Sequence, residues 1–241
     1  MFSKNYECKY LQWDTQYFGV RSARVNLYKV VDKQEQEEII RFCKDYDFVT
    51  ISNMGNKAEN NYWIGNNTNA FLADINVQFI KILKDKPEYL DDHIYVKHHL
   101  PRDKRLIDIA RSSFNYSRFY NDPKLPTEKA KNIYAHWTEC AFEKENKYFV
   151  ISERGKNALG FILFSIIDDS CVIELIAVDE KYQGQKVGKS LVKTMELFAF
   201  NNGIKKIQVG TQLSNIPAIQ FYNVMGFRYE NCSCIYHLWK L

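Results

Sequence analysis

The sequence contains no run of about 18 apolar residues, the shortest stretch typical of a transmembrane helix, so we expect no membrane span. Its opening residues, MFSKNYECKY, lack the apolar core of a secretory signal. A cytoplasmic location is therefore the expectation. No internal repeat and no low-complexity tract is found, which argues against repeat architectures and long unstructured segments.

Metal-ligand spacing is also missing. The six cysteines are scattered, and only Cys232 and Cys234 are close together, which favours free and mostly buried thiols. His93, His98 and His99 form a histidine cluster, but no acid or cysteine accompanies them at ligand spacing. We therefore expect no bound metal.

A large excess of one charge is absent. The chain has 33 Lys and Arg against 29 Asp and Glu, for a net charge of +4, and the two signs are interspersed. This balance is too mild to predict a nucleic-acid partner, although it allows a local basic patch for a phosphorylated ligand. The hydrophobic fraction of 46% in 241 residues is enough for one large domain or two small ones.

The most informative stretch covers residues 171–190. Residues 171–178 form an apolar run interrupted only by Glu174, which is typical of a strand buried on both faces. Gly184 and Gly188 follow in a polar loop, and a helical pattern begins there. A helix N-terminus offers free N–H groups to an anion, and glycines let phosphate oxygens approach closely. The pattern predicts a pyrophosphate cradle; an ordinary strand-to-helix turn with a solvated basic face explains it too.

A second stretch, NIPAIQFYNVMGF at residues 215–227, completes a recognisable pair. Together the two stretches resemble the GNAT acetyltransferases, whose signature is Q/R-x-x-G-x-G/A after a central strand, then N-x-x-A-x-x-x-Y and GF. Lys186 replaces the middle glycine of the first motif, which bears on the backbone geometry of the loop. The second motif fits throughout, with Asn215, Ala218 and Tyr222. The resemblance covers roughly residues 92 to 241.

This resemblance implies an α/β (α+β) fold: the GNAT acyl-CoA N-acyltransferase fold, a mixed central sheet with helices on both faces, plus a smaller N-terminal α/β domain. The predicted element order from residue 92, β-α-α-β-β-β-α-β-α-β-β, agrees with it. The charged, proline-containing segment 84–92 suggests a boundary, giving an acceptor-binding domain at 1–91 and an acetyltransferase domain at 92–241. Residues 53–69 are predicted to be a loop, and 227–229 and 234–241 two closing strands.

Two further elements resemble one GNAT branch, the dTDP-4-amino-4,6-dideoxygalactose (dTDP-fucosamine) N-acetyltransferases of bacterial surface-polysaccharide assembly. One is W-x-x-x-F/Y-F-G, and the other is S-R-F-x-x-D followed by Y-x-x-W. The matching residues are Trp13, Tyr17, Phe18, Gly19, Ser117, Arg118, Phe119, Asp122, Tyr134 and Trp137. Aromatic density alone favours a core plug at 10–19; the functional alternative is a platform for a sugar or a base beside Asp14. The resemblance implies that Trp13, Tyr17, Phe18 and Arg118 contact the acceptor.

The resemblance also assigns the chemistry. Tyr222 donates a proton to the departing thiolate, and backbone N–H groups near residues 176–178 stabilise the negative charge on the carbonyl oxygen and run along the pantetheine arm. Asn215 holds the pantetheine region or simply caps its helix. The residues expected to contact acetyl-CoA are Ile176, Ala177, Val178, Gln183, Gly184, Gln185, Lys186, Val187, Gly188, Lys189, Asn215 and Tyr222.

Glu174 is the candidate base because it is the only acid in an apolar strand, and burial would raise its pKa. The alternatives are ordered water as the base, or a satisfied polar residue at the strand edge. Arg118 either meets a nucleotide diphosphate or makes a structural ion pair.

Three functions compete. The first is N-acetylation of a nucleotide-linked amino sugar, and the second is acetylation of another small amine such as an amino acid, a polyamine or a drug. The third is a non-catalytic acyl-CoA-binding module, which Lys186 favours and intact Asn215 and Tyr222 oppose. The final strand is expected to be exposed, offering an edge for a homodimer.

Overall fold

The computed structural model describes residues 3–87, 93–155 and 157–240. Its seven helices are α1 (Gln12–Phe18), α2 (Lys33–Cys43), α3 (Ala58–Asn67), α4 (Lys104–Ser113), α5 (Thr127–Ala141), α6 (Val187–Asn201) and α7 (Ile216–Val224) within these ranges. The strands are β1 (Tyr6–Tyr10), β2 (Ser22–Leu27), β3 (Phe48–Met54), β4 (Phe71–Ile82), β5 (Ile94–His98), β6 (Lys147–Arg154), β7 (Asn157–Ile167), β8 (Ser170–Val178), β9 (Lys206–Gln212) and β10 (Arg228–Trp239).

All of these strands belong to one mixed sheet, in the order β1-β2-β3-β10-β4-β9-β8-β7-β6-β5. The pairs β2–β3 and β8–β9 are parallel, whereas the other neighbours are antiparallel. The two predicted domains therefore share a sheet, because β4 of the first lies between β10 and β9 of the second. The assignment of functions to 1–91 and 92–241 stays a prediction.

The end of the chain departs from the expectation. Residues predicted as two closing strands form the single strand β10, which pairs with β3 on one side and β4 on the other. Both edges of β10 are thus occupied, so the predicted exposed strand for dimer pairing is wrong. The sequence pattern missed this because a strand hydrogen-bonded on both sides and one at a sheet edge have the same alternation.

Helices cover both faces of the sheet. On β6, Phe149 and Ile151 pack with α4 and α5, while Val150 between them packs with α6, as strand alternation requires. Helix α1 joins α4 and α5 through Phe18. Helices α2 and α3 cover the N-terminal strands on the face of α6 and α7. A mixed sheet with helices on both faces is the architecture that the resemblance predicted.

Helix α3 lies where a loop was predicted. Its sequence, AENNYWIGNN, is rich in residues that usually favour turns, which hid the inward positions Asn60, Trp63 and Ile64. Asn60 is buried because its side chain is fully used: Oδ1 accepts the Val31 N–H at 3.1 Å, and Nδ2 donates to the Lys29 carbonyl at 2.9 Å. Tertiary hydrogen bonds thus override the local preference.

Strands β8 and β9 separate part-way along their length. Their parallel pairing covers Ser170–Ile173 against Lys206–Val209. On the other side of β8, Leu175 pairs with Leu163 and Ile173 with Phe164, so Glu174 is the extra residue of a β-bulge. Residues 174–178 and 210–212 therefore border a gap in the sheet, which we call the sheet opening. It connects the face of α6 and α7 with the face of α1 and α5.

Candidate active site

The loop before α6 makes a tight turn into the helix despite its missing glycine. A 3-10 turn, Glu180–Tyr182, leads to Gly184 at φ +74° and Lys186 at φ +65°. Lys186 thus takes the left-handed conformation that glycine adopts most easily. Its substitution for glycine adds strain at one position and leaves the turn into the helix intact.

Backbone N–H groups at the start of α6 are directed away from the helix. The first helical bond is donated by Ser190 N–H to the Lys186 carbonyl at 3.0 Å, so the N–H groups of Val187, Gly188 and Lys189 precede it. A Cβ added at Gly188 would lie 3.5 Å from the Phe221 ring of α7, so the two helices approach closely here. These residues fit a pyrophosphate, as the resemblance implies.

The predicted cofactor segment of β8 borders the sheet opening. Ile176, Ala177 and Val178 pair with β7 on one side, which leaves their other edge along the gap. The Val178 carbonyl accepts a hydrogen bond from Gln183 Nε2 at 3.2 Å, which ties the loop to the strand. An extended pantetheine arm can align with such an edge as a further strand does.

Tyr222 and Asn215 lie on α7, on the same face as this loop. Tyr222 is buried among Phe79, Phe221 and Phe227, and burial raises the pKa of its phenol. The group therefore stays protonated at neutral pH, as a proton donor must. Asn215 Oδ1 accepts the Ala218 N–H at 3.2 Å, which is N-cap geometry and supports that interpretation of Asn215.

A cavity of about 410 Å³ lies on the opposite face, between α1, α5 and the sheet. We call it the α1–α5 cavity. Its walls combine aromatic rings with charged groups. The lining residues are Trp13, Asp14, Arg24, Arg118, Phe119, Ile133, Trp137, Cys140, Lys144, Lys147 and Glu174. The cavity thus joins residues from both halves of the chain and ends at the bulge beside the sheet opening.

Glu174 has one occupied and one free carboxylate oxygen. Oε1 accepts a hydrogen bond from Ser165 Oγ and forms an ion pair with Lys147 Nζ. Lys147 Nζ also donates to Ser165 Oγ at 2.9 Å. Oε2 is buried without a hydrogen-bond partner among the described residues. The interpretation as a satisfied polar residue therefore accounts for only half of the group, because a buried acceptor without a partner is costly.

Arg118 is a second lining residue with an unused polar atom. Its guanidinium carbon lies 4.1 Å from the centre of the Phe119 ring, and its Nε is buried without a partner in the described part of the chain. Burial raises the pKa of Asp14 and of Asp74, and the charge of Arg118 partly offsets this in both. Burial and the nearby Arg24 lower the pKa of Arg118 itself, although Tyr134, Asp14 and Asp74 act in the other direction. Arg118 is thus a buried cation that keeps an unused donor.

The predicted aromatic element divides into three roles. Trp13 lines the cavity and stacks on Tyr17 with ring centres 5.2 Å apart. The Tyr17 hydroxyl donates to the Lys129 carbonyl at 2.6 Å, which joins the end of α1 to α5. Phe18 packs against Phe119 in the core, with 3% of its surface exposed. Core packing therefore accounts for Phe18, whereas Trp13 and Asp14 line the cavity. The use of Trp13 as a platform for a sugar or a base stays a prediction.

Asp122 of the second predicted element has a structural role. Its Oδ2 accepts from His237 Nδ1 at 2.6 Å and from Trp239 Nε1 at 2.9 Å, both on β10. Burial opposes the ionised form, but these two hydrogen bonds, the hydrogen bond from the Lys124 N–H and the charge of His237 together lower the pKa of Asp122. The loop that carries Arg118 is thereby fixed to the central strand.

Three lining residues, Arg24, Lys144 and Lys147, were not predicted from the sequence, whereas Trp13, Asp14, Arg118 and Glu174 were singled out there. Lys147 is brought to Glu174 by two successive strand registers, with Lys147 opposite Ser165 on β7 and Ser165 opposite Val172 on β8. Strand pairing of this kind is not visible in a single sequence.

The comparisons with known proteins agree with this geometry. The model of the "Acetyltransferase (GNAT) family" matches residues 105–227, just over half of the chain. The chain belongs to the GNAT acetyltransferase family. The predicted family and its fold class are confirmed, and the family is one of acetyl-CoA-dependent N-acetyltransferases.

Two curated GNAT relatives match part of the chain. The spore coat polysaccharide biosynthesis protein SpsD of Bacillus subtilis is 29% identical over 140 residues, which cover 58% of this chain and 48% of that protein. Human N-acetyltransferase 8B is 25% identical over 126 residues, covering 50% of this chain and 53% of that protein. The chain thus spans about half the length of the curated relatives it matches.

Solved structures support the fold. A GCN5-related N-acetyltransferase from Sphaerobacter thermophilus has a TM-score of 0.64 at 10% identity, covering 97% of this chain and 76% of that one. A protein of unknown function from Staphylococcus epidermidis has a TM-score of 0.65 at 9% identity, with 100% and 94% covered. These likenesses extend over the N-terminal strands as well as the region of the family model.

None of the described helices combines the length and apolarity needed to cross a bilayer. Across residues 3–87, 93–155 and 157–240, no three His, Cys, Asp or Glu side chains are grouped as a metal site requires. The cytoplasmic location stays a prediction.

Proposed function

We propose that this GNAT chain transfers the acetyl group of acetyl-CoA to the amine of a nucleotide-linked amino sugar of the dTDP-4-amino-4,6-dideoxyhexose type. The observation that carries the proposal is Glu174, which lines the α1–α5 cavity from the bulge of β8 and has its Oε2 buried without a partner among the described residues. The similarity to SpsD, a spore coat polysaccharide biosynthesis protein, supports a sugar acceptor. The narrower resemblance of residues 13–19 and 117–137 supports the nucleotide-linked form.

The roles of the residues follow from their positions on the two faces of the sheet opening. The amine enters from the α1–α5 cavity and loses a proton to Glu174 Oε2 as its nitrogen bonds to the thioester carbonyl carbon. N–H groups of residues 176–178 stabilise the negative charge on the carbonyl oxygen. The carbon–sulfur bond then breaks, and Tyr222 gives its proton to the thiolate. A thiol has a pKa of about 8.5, well below that of the buried phenol, so Tyr222 must act as the bond breaks rather than before it.

Acceptor binding uses both the rings and the charges of the cavity. Trp13 and Trp137 offer flat apolar surfaces of the kind that sugar rings pack against. Four cationic side chains line the cavity against two acidic ones. This excess favours an acceptor that carries a diphosphate, and the unused Nε of Arg118 is a donor for one of its oxygens.

Free-thiol release from acetyl-CoA tests the proposal. The panel holds dTDP- and UDP-linked 3-amino and 4-amino sugars, spermidine and free amino acids. We expect fast turnover with one nucleotide amino sugar and a loss of about 100-fold or more in kcat for Tyr222→Phe, the usual size of a general-acid contribution. Tyr229→Phe, at an exposed tyrosine of β10, is the matched control and keeps full activity.

Other outcomes would separate the competing functions. Turnover with spermidine or amino acids alone would remove the sugar acceptor while leaving an N-acetyltransferase. Binding of acetyl-CoA without any transfer would favour the non-catalytic module. The left-handed conformation of Lys186 speaks against that module, because the loop keeps its turn without the glycine.

A further inference from the structure

Three side chains on adjacent strands surround the bulge at Glu174. Lys147 on β6, Ser165 on β7 and Glu174 on β8 are linked in a closed triangle of contacts. Both Lys147 and Glu174 have side chains only 12% exposed. Both contacts to the carboxylate go to Oε1, and Oε2 is left without a described partner.

We propose that Lys147 is a positioning residue for acetyl transfer: it holds Glu174 through Oε1, so that Oε2 faces the acceptor amine, and its charge sets the protonation of both groups. This role rests on the proposed function, because it requires an amine in the α1–α5 cavity. Ser165 completes the arrangement by fixing the same oxygen with a neutral group.

The charge of Lys147 acts on two groups in one direction. A cation beside a buried carboxylate favours its ionised form, so Glu174 is ready to accept a proton. The same cation disfavours a second positive charge nearby, so an acceptor amine at Oε2 is favoured in its neutral, nucleophilic form. Loss of the charge should therefore disfavour the carboxylate and the neutral amine, the two forms that the reaction needs.

Other charged groups face the same cavity and stay in place in a variant of Lys147. They are Lys144 after α5, Asp14 on α1, Arg24 on β2 and Arg118 in the loop before α5. None of these four has a recorded hydrogen bond or ion pair to the Glu174 carboxylate among the described residues. The contribution specific to Lys147 is therefore its direct contact with Oε1.

The test is the pH profile of kcat/KM for Lys147→Gln, with dTDP-4-amino-4,6-dideoxygalactose as the acceptor probe. Gln retains a polar group beside Ser165 and removes the charge. We expect the acidic limb to move to higher pH by about one unit or more, the usual size of a direct charge contact. At a pH on that limb, activity falls about tenfold for each unit of the shift.

Two further variants keep the test independent of how Lys147→Gln folds. Lys147→Arg preserves the charge and should keep the wild-type limb, while Ser165→Ala should lower kcat a few-fold without moving the limb. Lys97→Met, an exposed lysine on β5, controls for the loss of one charge.

The contrary results are distinct. An unmoved limb in Lys147→Gln, or a limb displaced by Lys147→Arg, would show that Lys147 serves only packing. Wild-type turnover on spermidine or amino acids alone would remove the sugar acceptor, and the same pH series on that amine would still decide the role of Lys147. If the wild type transfers acetyl to no amine at all, the proposed function and this role fail together.

Discussion

The two faces of the sheet opening are built in different ways. The face of α6 and α7 is made by two short continuous stretches, 171–190 and 215–227, and it offers mainly backbone groups: helix-start N–H groups and a strand edge. The face of α1 and α5 is made by side chains from α1, β2, β6, β8, α5 and a connecting loop. A face made of backbone groups is indicated in the sequence by the spacing of glycines and helix-capping residues. A cavity made of side chains that are far apart in the sequence has no such local pattern.

This contrast predicts that substitutions on one face change the kinetics of one substrate. The largest effect is expected for Arg118→Gln on the face of α1 and α5, which is the proposed acceptor face. The variant loses a charged donor inside the cavity, worth about 1.5–3 kcal/mol for a hydrogen bond to a charged group, so KM for the acceptor should rise roughly 10- to 100-fold. KM for acetyl-CoA should stay unchanged.

Steady-state kinetics with each substrate varied in turn measures this. Arg111→Gln is the matched control, because Arg111 is an exposed arginine of α4 paired with Asp108. An equal rise in the KM values for the acceptor and for acetyl-CoA would contradict the assignment of one substrate to each face. Arg118→Gln also removes a cation that lowers the pKa of Asp74 and, after Arg24, that of Asp14, so the unfolding of the variant should be followed in parallel.

A smaller effect is expected for Gly160→Ala, which shifts the backbone of β8 next to the face of α6 and α7, the proposed cofactor face. Gly160 lies opposite Val178, and an added Cβ would be 2.7 Å from the Ala177 carbonyl oxygen. The end of β8 must shift, so we expect a loss of about 1–3 kcal/mol in the free energy of unfolding and a higher KM for acetyl-CoA.

Chemical unfolding and kinetics together check this substitution. Gly65→Ala in α3 is the control, since its Cβ would meet nothing within 4 Å and alanine favours a helix by about 1 kcal/mol. A Gly160→Ala protein with unchanged KM for acetyl-CoA would argue that the edge of β8 does not contact the pantetheine arm.

The smallest effect is expected for Lys186→Gly. Glycine relieves the left-handed strain at φ +65°, worth about 1 kcal/mol, but its freedom in the unfolded chain offsets part of this gain. The free energy of unfolding should therefore rise by less than about 1 kcal/mol. KM for acetyl-CoA should increase a few-fold through the lost charge, with KM for the acceptor unchanged.

Lys189→Gln separates the two effects at this loop. It removes a neighbouring charge without touching the left-handed residue, so KM for acetyl-CoA should rise while unfolding is unaltered. A clear loss of stability in Lys186→Gly would mean that the lysine side chain, rather than the backbone, holds the turn.

The sequence allowed the fold and the proposed cofactor face to be predicted in some detail, because short continuous motifs determine both. Glu174 was recognisable as the one acid in an apolar strand, yet its partner Lys147 was not, since two strand registers separate them. Asn60 shows the opposite failure: its residue type favours a loop, and only hydrogen bonds to residues 29 and 31 explain its place in a helix. Strand pairings and hydrogen bonds between residues far apart in the sequence determine these two features, and a sequence pattern does not show them.

The central position of β10 has a consequence for folding. Contacts such as that between Cys234 and Asn56 join residues 178 positions apart, so the sheet closes across almost the whole chain. Until β10 inserts, β3 and β4 each carry an open hydrogen-bonding edge, of the kind that pairs with other chains. Contacts between residues so far apart in the sequence form slowly. The insertion of β10 is therefore the folding step that competes with aggregation.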